Sequence, residues 1–123
     1  GMTLFVTLYN SVGLIDAATP LSAFQLGTCG NRAASVHSTN LHFHGLHASP
    51  QCNHDEVIHT DIEPGEYVNY SITIHPTHPP GLYWYHPHMG GLVEAQVNGG
   101  GVGAIVVEGL EQYVPITLLQ PLV

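Results

Sequence analysis

The chain has 123 residues, 44% of them hydrophobic, which suits one compact domain with its own core and leaves little room for a second. Nine carboxylates stand against one basic residue, Arg32, and the formal charge of -8 would repel phosphate backbones and anionic lipid, so neither nucleic acid nor a membrane is expected as a partner. The longest apolar runs, Gly101 to Val107 and Val114 to Leu119, fall far short of the ~20 residues that span a bilayer, and no basic-then-apolar stretch stands in these residues, which leaves export neither read nor excluded.

Strand signals dominate, because β-branched and aromatic residues fall in short runs broken by Gly, Pro and Asn. Thr3 to Tyr9 is the first predicted strand and Ser35 to Leu46 the second. Between them, Asn10 to Ala34 carries Gly13, Pro20, Gly27 and Gly30 and reads as loop with one short strand. Ala48 to Glu63 reads as another excursion. Pro64-Gly65 then signals a type II turn, since proline presets the first central torsion and glycine accepts the positive φ of the second. The strand that should follow is present: Val68, Tyr70, Ile72 and Ile74 alternate with Tyr67, Asn69, Ser71 and Thr73, the period-two pattern of a half-buried strand. His75 to Pro80 turns the chain, and Gly81 to Tyr85 is a fourth strand. Gly101 to Glu108 is a fifth, apolar enough to be central in a sheet, and Ile116 to Leu119 a sixth. No segment holds a helical period over three turns, so the expected fold is all-β, an antiparallel sandwich with Greek-key connections.

Ten histidines in a lysine-free chain invite a metal hypothesis. Four of them form two pairs. In His42-Phe43-His44-Gly45-Leu46-His47, residues i and i+2 of a strand share a face, so His42 and His44 project together while Leu41 and Phe43 turn to the other side. One face can then be core and the other can bind metal. Gly45 beside the pair leaves room for another segment or a metal to approach the backbone. In Trp84-Tyr85-His86-Pro87-His88-Met89, Pro87 lacks an N–H, so this second pair must lie at a strand end, an edge or a bulge. Four convergent imidazoles have the chemistry for copper, zinc, nickel or iron, and spacing does not choose among them. The competing reading is exposed strand histidines that bind nothing. Two pairs at the ends of two aromatic strands outweigh it. Cys29 and Cys52 can form a disulfide, ligate metal or stay free, with the disulfide favoured if the protein is exported. Neither cysteine stands in a His-Cys-His arrangement.

Thr39 to His47, reading TNLHFHGLH, resembles the first copper motif of the multicopper oxidases, the superfamily of laccases and bilirubin oxidases. Pro79 to Gly109, reading PPGLYWYHPHMGGLVEAQVNGGGVGAIVVEG, is similar to the second motif and the strand after it. The likeness runs from about Thr3 to Gly109. It implies a cupredoxin-like β-sandwich over residues 1–123, the N-terminal domain of a longer oxidase, with the last residues leading toward the next domain. It also implies a secreted or periplasmic location. By this resemblance His42 is a ligand of a type 2 copper, His44 and His86 serve one type 3 copper, and His88 serves the other. In the family, dioxygen is reduced to water at that trinuclear cluster with electrons from a distant type 1 copper. Asp55, ahead of Glu56, fits the carboxylate that the family keeps near the cluster as proton relay and hydrogen-bond partner.

The sequence also departs from the pattern. Gly90 replaces a third histidine of the second motif, a residue that is not a ligand in the family. The two C-terminal histidine motifs, including the His-Cys-His that joins type 1 to type 3 copper, do not occur. Met2 to Thr7 resembles the middle of the family's first domain, after its opening strand. The resemblance therefore implies a fragment that holds half a trinuclear copper site and is catalytically incomplete alone. Its partners would be a C-terminal cupredoxin domain supplying the other ligands, dioxygen, and a second copy at an open sheet edge. The alternatives are a stand-alone copper-binding or storage module, and a zinc hydrolase or cupin. Leu46 stands where a hydrolase motif needs Asp, and no glutamate follows His44 at the cupin interval.

Among the other histidines, His47 either supports His42 or His44 or lies at the surface. His37, opposite His42 by strand parity, and His54, His59, His75 and His78, in loop surroundings, receive no metal role. Phe43, Tyr83, Trp84, Tyr85 and Met89 read as packing.

Overall fold

The strongest periodic signal in the sequence becomes the centre of a sheet. A computed structural model describes residues 1–13, 19–30 and 33–114, so the sixth predicted strand, Ile116 to Leu119, lies outside the described residues. The strands are β1 (Met2–Tyr9), β2 (Gln25–Leu26), β3 (His42–His44), β4 (Glu66–Ile74), β5 (Gly81–His86) and β6 (Gly103–Val107). One short helix, α1 (Val93–Asn98), and two single 3-10 turns complete the elements of the described residues.

The first sheet has the order β1-β4-β2. β1 runs antiparallel to β4 over its whole length, from Met2 opposite Ile74 to Tyr9 opposite Tyr67. The Pro64-Gly65 turn launches β4 as expected, with Gly65 at φ 85 and the Glu66 N–H donating to the Glu63 carbonyl at 3.0 Å. β2 pairs with β4 in parallel, so the sheet is mixed and not purely antiparallel.

The second sheet has the order β3-β5-β6, antiparallel throughout. β6, apolar enough to be expected at the centre, is an edge strand among the described residues, and Val106 is 70% exposed. β5 takes the central place. The two sheets share one core: Leu41, Phe43 and Leu46 from the β3 segment meet Val68, Tyr70 and Ile72 of β4, with Ile62 between them. The Phe43 and Tyr70 rings contact at 5.7 Å across the two layers. Each such side chain, fully buried, contributes about 1.5–3 kcal/mol. The fold is all-β and cupredoxin-like, as expected.

The predicted strand Ser35 to Leu46 is mostly not a strand. Val36 and His37 form a turn, Thr39 makes one isolated bridge to Ile62, and only His42–His44 belongs to the ladder. Ser38, Thr39 and Asn40 instead send their side chains to Glu63, Gln96 and the His88 backbone. Such polar side chains offer the chain an alternative to a ladder. His37 therefore lies in a turn, on no strand that could set it opposite His42 by parity. Gly45, at φ 88, ends β3, and a Cβ there would stand 2.8 Å from the Tyr83 ring. The close approach is made by Tyr83.

α1 leaves no mark in the residue pattern, because its six residues are too short to show a period over three turns. Gly99 caps it by donating to the Ala95 carbonyl. Cys29 and Cys52 are joined as a disulfide, tying the loop after β2 to the loop that follows the first histidine motif.

Candidate metal centre

The register of the second sheet sets His42 opposite His86 and His44 opposite Trp84. Residues directly opposite in a ladder share a face, so one side of this sheet carries His42, His44, Trp84 and His86 while Leu41 and Phe43 enter the core. β5 ends at His86, and Pro87 begins the departing chain, as its missing N–H required.

One ligand atom from each of His42, His44 and His86 lies within 4.8 Å of the others. His88 stands beside this set, its ring 5.2 Å from that of His42 and 5.9 Å from that of His86. His86 is buried, His42 partly buried, and His44 and His88 are exposed. The four residues singled out in sequence are thus neighbours, with His88 at the rim of a triad.

The hydrogen-bond partners determine which nitrogens are available. His86 Nδ1 lies 2.8 Å from the Pro87 carbonyl oxygen, an obligate acceptor, so Nδ1 carries the proton and Nε2 keeps its lone pair. His42 Nδ1 lies 2.9 Å from Asp55 Oδ1, which likewise leaves His42 Nε2 as the free lone pair. His44 Nδ1 faces His86 Nε2 at 3.2 Å. Two nitrogens bound to one tetrahedral ion at ~2.0 Å would stand about 3.3 Å apart. The donor set therefore fits a first-row transition metal ion that accepts imidazole.

Asp55, and not Glu56, is the carboxylate at the site. Asp55 Oδ1 accepts from His42 and also from the Phe43 N–H at 2.9 Å. Glu56 turns away and accepts from the Ile58 and His59 N–H groups and the Thr60 hydroxyl. Burial pushes the Glu56 carboxyl up, but the Thr60 hydroxyl and the His59 and Ile58 amides outweigh it and hold it below its ordinary value. Tyr70 lies behind β3, and its hydroxyl oxygen accepts from the Leu41 N–H at 3.1 Å. Burial pushes the phenol far above its ordinary range, and the nearby Asp55 and Glu56 charges add to this against the pull of the Leu41 amide.

Trp84 is not core packing. It is 38% exposed and stacks on the His86 ring at 4.2 Å and on the His44 ring at 5.0 Å. Its i+2 relation to His86 held that information. Met89 is buried, in line with a packing role. Of the remaining histidines, His78 overturns the loop expectation: it is buried, its Nε2 accepts from the His47 N–H, and its Nδ1 faces the Pro79 carbonyl. His47 itself is exposed. His54 bonds the Ser71 carbonyl, His75 bonds Thr77, and His59 stands 3.4 Å from Glu56.

A two-layer β-protein with a converging histidine cluster on the outer face of one sheet defines a metal-binding domain of cupredoxin-like build. Residues 29–112, more than half of the sequence, match the multicopper oxidase family, and the chain belongs to that family. It is similar to an iron transport multicopper oxidase (FET3) of Candida albicans, at 38% identity over 74 residues covering 58% of this chain and 11% of that protein. It is also similar to an iron transport multicopper oxidase (fetC) of Epichloe festucae, at 36% over 84 residues covering 66% and 12%, and to Laccase-1 of Emericella nidulans, at 33% over 87 residues covering 65% and 13%. The chain spans between 11 and 13% of the length of these curated relatives.

Proposed function

We propose that this chain contributes half of a trinuclear copper site, with His42 toward a type 2 copper, His44 and His86 toward one type 3 copper and His88 toward the other. The observation that carries this reading is the facing pair His44 Nδ1 and His86 Nε2 at 3.2 Å, beside His42 and His88, in a chain of the multicopper oxidase family. Copper held there would supply the one-electron chemistry by which oxidases of this family reduce dioxygen to water. Asp55 holds His42 in one tautomer through Nδ1 and fixes the strand at Phe43. The same carboxylate is the group through which a proton reaches the site, since it is the acid nearest to a ligand ring. Trp84 stacks on the His44 and His86 rings and so helps to hold their orientation.

The remaining donors come from a second cupredoxin domain docking on this face. In support, His44 and His88 are exposed, and the same sheet face continues into Leu82 at 61% exposure, paired with Val106. The Cys29–Cys52 disulfide supports a secreted or periplasmic location, where such bonds persist. A copper-storage module using the same four imidazoles is the competing reading, and only turnover with a docking domain separates the two.

Copper(II) titration of the chain tests the proposal. The chain takes up copper without a strong blue band and without oxidising phenols, and replacing His86 and His88 together by alanine lowers the uptake. Unchanged stoichiometry in that variant would refute their role, and substantial phenol oxidation by this chain alone would refute the half-site.

A further inference from the structure

The two histidine pairs sit on different segments, and only one pair is fixed entirely by strands. His42 and His44 lie in β3 and His86 ends β5, but His88 lies beyond the ladder, after a proline that cannot continue it. Its backbone is held by a side chain. The His88 N–H donates to Asn40 Oδ1 at 2.7 Å, and Asn40 is fully buried. The Asn40 side-chain amide donates in turn to the Val57 carbonyl at 3.3 Å, two residues past Asp55. A second stitch runs alongside: Gln96 of α1 donates to the Ser38 carbonyl at 2.7 Å and accepts from the Thr39 hydroxyl at 3.0 Å.

From this geometry we infer that Asn40 is a positioning residue that sets His88 against His42, and so fixes the span between the two pairs. The inference rests on the copper reading above. An amide is suited to the task because it accepts from one segment and donates to another in one plane, without bringing a charge to a buried place. Without it, the His88 amide loses its acceptor and the imidazole loses its fixed base, while His42, His44 and His86 keep theirs. Asn40 acts through His88 and touches neither metal nor substrate.

The test uses the full chain with copper(II) alone as probe. Wild type, Asn40→Leu, Asn40→Asp, His88→Ala and the Asn40→Leu, His88→Ala double variant are titrated, with thermal unfolding as the control for folding. Asn40→Leu weakens copper binding by about tenfold, the size typical of groups that orient a metal ligand. On the His88→Ala background it has no further effect. Asn40→Asp keeps the acceptor for His88 and loses the donor to Val57, so it retains most of the affinity, and its difference from Asn40→Leu isolates the His88 bond. Hydrogen exchange at the His88 amide of the metal-free wild type gives a measure that needs no variant: exchange is slow, although the residue is exposed.

Equal copper affinity in wild type and folded Asn40→Leu overturns the inference alone. So does an equal loss in the presence and absence of His88, or exchange of the His88 amide at the solvent rate. Absence of copper uptake by the wild type overturns the copper reading itself and takes this inference with it.

Discussion

β4 and β3 are both strands that carry the site, one from behind and one directly, and they are held in different ways. β4 runs for nine residues with β1 on one side and β2 on the other, and buries Val68, Tyr70 and Ile72 in alternation. β3 runs for three residues and, among the described residues, has a strand on one side only. The amides of Leu41, just before it, and Phe43, at its middle, find the Tyr70 hydroxyl and the Asp55 carboxylate where a neighbouring strand would have offered carbonyls. The first sheet is a framework built by burial. The strand bearing the histidines is pinned by individual polar groups, which satisfies an edge without covering the metal face.

The largest effect should follow from breaking the framework. Ile72→Ala empties a fully buried position at the sheet centre and should cost about 2–5 kcal/mol in denaturant unfolding, while copper stoichiometry per folded molecule stays unchanged. A loss of copper binding ahead of unfolding would mean that the two regions are not separable in this way. Tyr70→Phe crosses the comparison, since it keeps the core ring and removes the acceptor of the buried Leu41 amide. About 1–3 kcal/mol is expected, and faster hydrogen exchange at Leu41 should accompany it. An unchanged stability together with unchanged exchange would show that β3 does not depend on this bond.

The smallest effect concerns the loop between the two regions. The Glu56 carboxyl is held below its ordinary value in the folded chain, so its contribution is complete above the unfolded value of about 4.3 and is lost as pH falls through the lower folded value. Glu56→Gln should therefore lower stability at pH 7 and differ less from wild type at pH 3, as read from denaturant midpoints. Parallel curves across that range would assign the Glu56 bonds no part in folding.

The difference between the regions also explains what could be read in the sequence. β1, β4 and β5 were legible to within a residue or two, because each is set by alternation or by a turn signal such as Pro64-Gly65. The shared face of His42 and His44 followed from the two-residue strand period, while their meeting with His86, like the place of Asp55, followed from a family resemblance. Ser35 to Leu46 was misread as one strand because Ser38, Thr39 and Asn40 are β-compatible in composition, and only the fold supplies the Glu63, Gln96 and His88 partners that draw them away. The burial of His78 was hidden for the same reason: its partners are a backbone amide and a carbonyl, which leave no mark in composition. The edge position of β6 was not legible because an apolar strand reads alike in composition whether it has a hydrogen-bonded neighbour on both sides or on one.

The pairing of β1 with β4 also has a kinetic meaning. It joins Tyr9 to Tyr67, so the whole first histidine motif lies inside the loop that this contact closes, and the first motif meets the second only when His42 pairs with His86. Contacts so distant along the chain pay their closure entropy before they return any energy, which makes the assembly slow and late. During synthesis on the ribosome, the two histidine pairs emerge separately, each as a three-residue His-x-His segment. Only the packing of Phe43 on Tyr70 between the two sheets, with the pairing of His42 and His86, brings them to one place.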